Sequence, residues 1–373
     1  HLLAHLVLAS LGLSLVLLAF RPPTPSEALV VGTHAAVSDH AVGWVVGSAT
    51  DGYGSIIHTR NGGQTWVRQG DTGQIPDVDL NGVWAVDADT AWVVGGADSG
   101  YGVILRTDDG GQTWSRQGSA AEIPNVDLAD VAAVDRNIAW VVGLHGVILH
   151  TVDGGRTWTQ QMRGLLPDLQ FSGVSAVDAE TAWACGGVWG GYGTILRTVD
   201  GGHSWQRPGY HLLPPDRTLI TIQALDADTV WAVGQLTTVQ YTGDGGVSWR
   251  NRQYPPNNLD SNGVVVLNRD SVWIAADYGG IFRSDNGSAT WTPQESYQHG
   301  HHLVRISAPD TDNAWIVGPL ASGGADLGVV LHTDDGGANW ETQTAPVNTF
   351  WSDLSMVDGR SRLYFPVIEA HAR

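Results

Sequence analysis

Thr107-Asp-Asp-Gly-Gly-Gln-Thr-Trp114 is the stretch whose reading decides the fold, because the chain repeats it. It returns as Thr59–Trp66 (TRNGGQTW), Thr151–Trp158 (TVDGGRTW), Thr198–Trp205 (TVDGGHSW), Thr242–Trp249 (TGDGGVSW), Ser284–Trp291 (SDNGSATW) and Thr333–Trp340 (TDDGGANW), seven copies in all. Successive terminal tryptophans stand 48, 44, 47, 44, 42 and 49 residues apart, the period of a four-stranded propeller blade. A second tryptophan keeps its own register ahead of each octet, at Trp44, Trp92, Trp140, Trp183, Trp231, Trp273 and Trp315. Fourteen of the 17 tryptophans are therefore repeat positions.

Each unit reads as four short strands. In the third, Leu128–Val134, Ala139–Val142, Gly146–His150 and Thr157–Gln161 are rich in Val, Ile and Trp and are separated by Gly, Asp and Asn. No helical periodicity interrupts them. The first two strands are apolar on both faces, as a sheet sandwiched between two neighbours requires. Stacking such sheets radially gives each a partner on both sides, so the expected fold is all-β, a seven-bladed propeller of four-stranded blades. Within the octet, the carboxylate or amide of Asn61, Asp109, Asp153, Asp200, Asp244, Asn286 and Asp335 is expected to accept main-chain N–H groups of its own turn, with the next glycine supplying a positive φ. These residues are assigned a structural role: Asn at two of the positions suits a turn and not a general acid.

Composition narrows function. Of 373 residues 48 are Gly, all 19 cations are Arg, and 38 acids leave a formal charge of −19. The lack of Lys excludes a Schiff-base lysine, and the charge argues against nucleic acid as a partner. A sole cysteine, Cys185, excludes disulfides and thiolate cages within one chain and reads as a buried apolar substitute for Val. Leu2–Phe20 is an uncharged apolar run closed by Arg21 and PPTP, at the border between a signal-peptide core and a short membrane-spanning helix. Residues 1–28 are thus expected to be a signal peptide or membrane anchor that places the rest outside the cytoplasm. Residues 29–349 are expected to form the propeller, with Val30–Ser38 as the inner strand of the first unit. Residues 350–373 are expected to be an added tail, with a ring-closing swap and the start of an eighth repeat as alternatives.

The octet resembles the Asp-box, the bacterial neuraminidase repeat. The longer phrase, A-W-V-V-G followed by G-x-I-L-x-T-x-D-G-G-x-T-W, resembles the photosystem II assembly and stability factors of plastids and cyanobacteria. That resemblance implies a noncatalytic seven-bladed propeller, exported to the thylakoid lumen, that acts on photosynthesis by binding a protein partner. Two departures stand out: no lipobox Cys follows the apolar run, and the Arg residues are spread around the repeats. The alternative reading is a carbohydrate-binding or glycoside-hydrolase-like surface protein. Sialidases carry Asp-boxes but need an arginine triad, a Tyr–Glu pair and an R-I-P motif, of which Arg21-Pro22-Pro23 is a faint echo. Xyloglucan hydrolases with such repeats use two propellers, and glycoside hydrolysis needs two placed carboxylates. No catalytic residue, cofactor or metal is assigned, and a monomer is expected.

What remains after the repeats are subtracted is a set of off-pattern aromatics. Trp84 occupies an inner-strand position filled elsewhere by Ala36, Ala132, Ser175, Gln223, Val265 and Ser307, so it is expected to project toward the central channel. Tyr53, Tyr101 and Tyr192 sit in G-Y-G loops, Trp189 lies beside the last of these, and Trp351 lies in the tail. These six are the candidate partner- or ligand-binding residues. Asp77, Asp79, Asp127, Asp168, Asp216 and Asp260 suggest an acidic rim, and His299, His301 and His302 a solvated loop. Arg106, Arg197 and Arg283 share one repeat position with His58, His150, Tyr241 and His332, read as a solvated sheet edge.

Overall fold

In the computed structural model, the strands expected from the repeats pair antiparallel in radial order, and the described residues are 40–188, 192–209, 217–252, 259–294, 302–319 and 328–359. The apolar segment, Val30–Ser38, Trp189, Asp216, His299 and His301 lie outside them. No helix among the described residues is long and apolar enough to cross a membrane.

Seven sheets are present, each ordered inner strand A, then B, C and outer D. Blade 3 is representative: Leu128–Ala133, Ala139–Gly143, Ile148–Thr151 and Thr159–Gln161. In blade 4 the outer strand shrinks to a single bridge between Arg197 and Gln206. All seven strand-B tryptophans are completely buried. Burying about 150–250 Å² per ring at about 25 cal/mol per Å² makes each worth several kcal/mol as an upper limit.

The tail departs from expectation. Trp351–Asp358 pairs with Ala41–Thr50 from Gly47 opposite Trp351 to Ala41 opposite Asp358. It is the inner strand of blade 1, whose remaining strands are Ala41–Thr50, Tyr53–Thr59 and Val67–Arg68. Residue 349 is therefore not the end of the propeller: the ring closes by a strand from the C-terminal part of the chain, the swap weighed as an alternative above. The physical reason is the unpaired edge that strand B of blade 1 would otherwise present. Trp351 is consequently buried in the core between Trp315, Val317, Val330 and Leu354, not displayed on a binding face.

Each Asp-box closes the turn between strands C and D. In blade 3 Thr151 Oγ1 donates to Asp153 Oδ1 (2.9 Å) and accepts from Gly155 N (2.9 Å), while Thr157 N and Oγ1 donate to the same carboxylate at 2.9 and 2.7 Å. Asn61 in blade 1 keeps the accepting bond from Thr65 N (3.0 Å) but donates through its amide to Thr65 Oγ1 (3.0 Å). These bonds hold Asp200 and Asp244 at about 2, below the usual carboxylate value, with the Ser204 and Ser248 hydroxyls the largest cause. The box is also an interblade part. Gly155, at φ +83°, lies where an added Cβ would meet the Trp92 ring of blade 2 at 2.8 Å.

Candidate functional site

Each inner strand pairs one residue with the repeat tryptophan of strand B: Ser355 with Trp44, Trp84 with Trp92, Ala132 with Trp140, Ser175 with Trp183, Gln223 with Trp231, Val265 with Trp273 and Ser307 with Trp315. Ser355 thus stands where Ala36 was expected, because the closing strand supplies this row in blade 1. Trp84 is the one large ring of the row. It is half-buried and lines a central cavity of about 220 Å³ together with Ser175, Gln223, Ser307 and Ser355. Those four polar side chains bridge blades: Ala224 N donates to Ser175 Oγ, Val266 N to Gln223 Oε1, Met356 N to Ser307 Oγ and Ala85 N to Ser355 Oγ, at 2.8–3.1 Å.

Two residues earlier in each inner strand, the next row reads Asp353, Gly82, Asp130, Gly173, Thr221, Gly263 and Arg305 around the ring. Small residues alternate with large ones, so Arg305 has room to reach across the channel. Its Nη1 donates to Thr221 Oγ1 (2.8 Å) and Asn262 O (2.9 Å), and its Nε lies 3.4 Å from Asp353. Asp353 accepts from Val83 N of blade 2 (2.8 Å) and Asp130 from Val174 N of blade 4 (2.9 Å). Burial pushes the Asp353 carboxyl up to about 7, against the pull of Arg305, and raises Asp130 as well. The buried Asp353 and the half-buried Asp130 therefore draw on one guanidinium. Sequence inspection missed this cluster, since each member breaks the repeat at a different blade.

The expected aromatic rim resolves into separate environments. Tyr53 and Tyr101 occupy matching places in blades 1 and 2, each beneath a guanidinium: Arg68 over Tyr53 at 3.9 Å and Arg116 over Tyr101 at 3.8 Å. Those arginines also bond Asp51 and Asp98, at 2.7 and 2.5 Å. Tyr192 is 52% exposed and borders a cleft of about 400 Å³ with Leu165, Leu166, Val188 and Arg207. Trp84 alone of the described candidates lines the central cavity.

Two surface readings are corrected. The shared strand-C position is a lid on the buried tryptophans, not a solvated edge. His58, His150 and His332 stack on Trp44, Trp140 and Trp315 at 4.1–4.5 Å between centroids, Tyr241 packs on Trp231, and Arg106, Arg197 and Arg283 lie over Trp92, Trp183 and Trp273. Burial holds His58 and His150 down at about 4. Of the expected acidic rim, Asp79, Asp127 and Asp260 accept from Ala49 N, Ala97 N and Leu236 N of the preceding blades, each at 2.9 Å. They clamp neighbouring loops together. Among the described residues no group of three or more His, Cys, Asp or Glu is placed to hold a metal. His302 instead bonds Asp277 at 3.1 Å. Cys185 is buried, and that burial raises its thiol.

With this geometry in view, the sequence matches the family described as photosynthesis system II assembly factor YCF48 over residues 25–162, 120–207 and 166–302. The chain belongs to that family. The propeller is also similar to the structure titled "YCF48 bound to D1 peptide", at 20% identity and a TM-score of 0.61, covering 79% of this chain and 88% of that one. YCF48 from Cyanidioschyzon merolae matches at 21% identity and a TM-score of 0.57, covering 73% and 92% of the two chains. The xyloglucanase of Xanthomonas campestris, of family GH74, shares the fold at 14% identity and a TM-score of 0.53. There the alignment covers 83% of this chain and 60% of the enzyme. No curated protein sequence matches.

Proposed function

We propose that this YCF48-family protein is an exported, noncatalytic scaffold that binds a protein partner during assembly of a photosystem II-like complex. The observation that carries the reading is the family match, which runs over residues 25–302. A similar structure is titled as holding a D1 peptide, so a peptide is the partner chemistry to try first. The cleft beside Tyr192 offers a surface for one: Leu165 is 69% exposed and Val188 38% exposed, with Arg207 and Asp168 at its border. Exposed apolar side chains flanked by charge are the usual anatomy of a protein contact. Export rests on the apolar run at residues 2–20.

The test is titration of the full chain with a D1 peptide, read by fluorescence anisotropy. Binding that weakens at least several-fold in Tyr192→Ala and Leu165→Ser is expected. Absence of peptide binding, or turnover of a glycoside panel abolished by removing one loop carboxylate, overturns the scaffold reading. Fractionation of cells expressing the full chain tests export separately.

A further inference from the structure

Blade 1 is built from two distant parts of the chain, and its inner strand Trp351–Asp358 meets Ala41–Thr50 through a noncovalent ladder with no local turn. In the other described blades, strands A and B follow one another directly. The side-chain bonds that tie this closing strand sideways are concentrated at three residues. Asp353 accepts from Val83 N of blade 2 and faces Arg305 of blade 7, Ser355 accepts from Ala85 N, and Met356 N donates to Ser307 Oγ.

We infer that ring closure is pH-responsive: with Asp353 protonated the closing strand is locked to blades 2 and 7, and loss of that proton loosens that strand first. Among the described residues of this row Arg305 is the single cation and Asp130 the second carboxylate, and blades 2, 4, 5 and 6 present Gly82, Gly173, Thr221 and Gly263. The Cys185 thiol behind Gly173 also faces the pair, and its burial opposes ionisation. The ladder partner of Asp353 in strand B is Val46. One guanidinium neutralises one carboxylate, so ionising both leaves an uncompensated negative charge on the largely desolvated Asp353, which is costly. Strand Leu128–Ala133, which carries Asp130, is fastened by its own turn to strand B, and the closing strand has no such tether. Relief of the repulsion therefore falls on Trp351–Asp358.

The closed ring holds a proton that the opened strand releases, because the Asp353 carboxyl lies at about 7 when closed against an ordinary 3.8. Opening then becomes about tenfold more favourable per pH unit between those values and levels off above them. The protection is present at low pH and is lost as pH rises toward 7.

Hydrogen exchange of the full-length protein from pH 5 to 9, corrected for intrinsic exchange, reads this directly. Protection of Trp351–Asp358 and Ala41–Thr50 is expected to fall roughly a hundredfold between pH 5 and 7 and then stay level. Strands Thr181–Gly187 and Val230–Gly234, remote from the closure, serve as internal references. Asp353→Asn removes the step, and Asp130→Asn shifts it to lower pH because the second carboxylate no longer opposes ionisation. A closing strand that tracks the reference strands at every pH overturns the inference, as does a step retained in Asp353→Asn. Should Asp353→Asn not fold, an unshifted step in Asp130→Asn overturns it alone.

Discussion

Replacing Gly155 by Ala tests whether the Asp-box is a contact between blades or only a turn within one. Gly155 has φ +83°, and an added Cβ would meet Trp92 Cη2 at 2.8 Å, Gln117 Oε1 at 2.9 Å and Trp92 Cζ3 at 2.9 Å. Gly164 is the matched control, with φ +72° and nothing within 4 Å of the same hypothetical atom. Both substitutions place Ala in the left-handed region, at roughly 1–2 kcal/mol, offset by about 0.4–1 kcal/mol of lost unfolded-chain entropy. Gly164→Ala should therefore cost about 0–1.6 kcal/mol. Gly155→Ala adds overpacking against a fixed ring, about 1–3 kcal/mol more. At about 1–2 °C per kcal/mol for a propeller of this length, its melting temperature should lie about 1–6 °C below that of Gly164→Ala. Blade 6 shows what relieves the position: Ser288 occupies it at φ +63°, its Oγ accepts from Trp231 Nε1 at 3.3 Å, and Arg252 replaces the facing glutamine. Equal melting temperatures for the two alanine variants would refute the interblade role.

Trp140→Ala removes a ring buried between blades and stacked on His150 at 4.1 Å, and urea denaturation should show a loss of about 3–5 kcal/mol. His150→Phe keeps that stack and should flatten one part of the acid response. Because the His150 imidazole lies at about 4 when folded against 6.5 ordinarily, its contribution is present above 6.5 and lost as pH falls toward 4. The Asp200 and Asp244 boxes respond in a lower window: both carboxylates lie at about 2 when folded against 3.8. Their stabilisation is lost as pH falls from 3.8 to about 2, which thermal melts of Asp244→Asn against the parent should register below pH 4. Cys185 should resist iodoacetamide in the native protein and react once unfolded, because its thiol is buried and its ionisation opposed. The histidine and Asp353 effects run in opposite directions between pH 4 and 7, so a global melting curve partly cancels them and local exchange is the cleaner readout.

The blade was legible in the sequence because its information is local. Thr151, Asp153, Gly155 and Thr157 bond one another within seven residues, and such a turn needs no distant partner to be recognised. Repetition then implied the ring, since a sheet with two apolar faces must be covered twice. Trp84 was legible for a related reason: it breaks a row that is otherwise small, and it does line the channel cavity. Other residues carried the same chemistry on the page as in the structure but lacked their partners. His58 and Arg106 look like surface polar groups until strand pairing lays them over Trp44 and Trp92. Trp351 looks like a spare aromatic until the tail completes blade 1 and buries it.

The sequence alone thus determined the all-β repeat, the number of units and the turn chemistry, all consequences of contacts between residues close in the chain. Only the tertiary structure decided how the ring is closed and what lies at its centre. Asp130, Arg305 and Asp353 meet across the channel from blades 3, 7 and 1, and no periodicity joins them because each is a single departure from the repeat. Burial, which turns an ordinary carboxylate into one that keeps its proton near neutrality, is a property of the closed ring and of no segment within it.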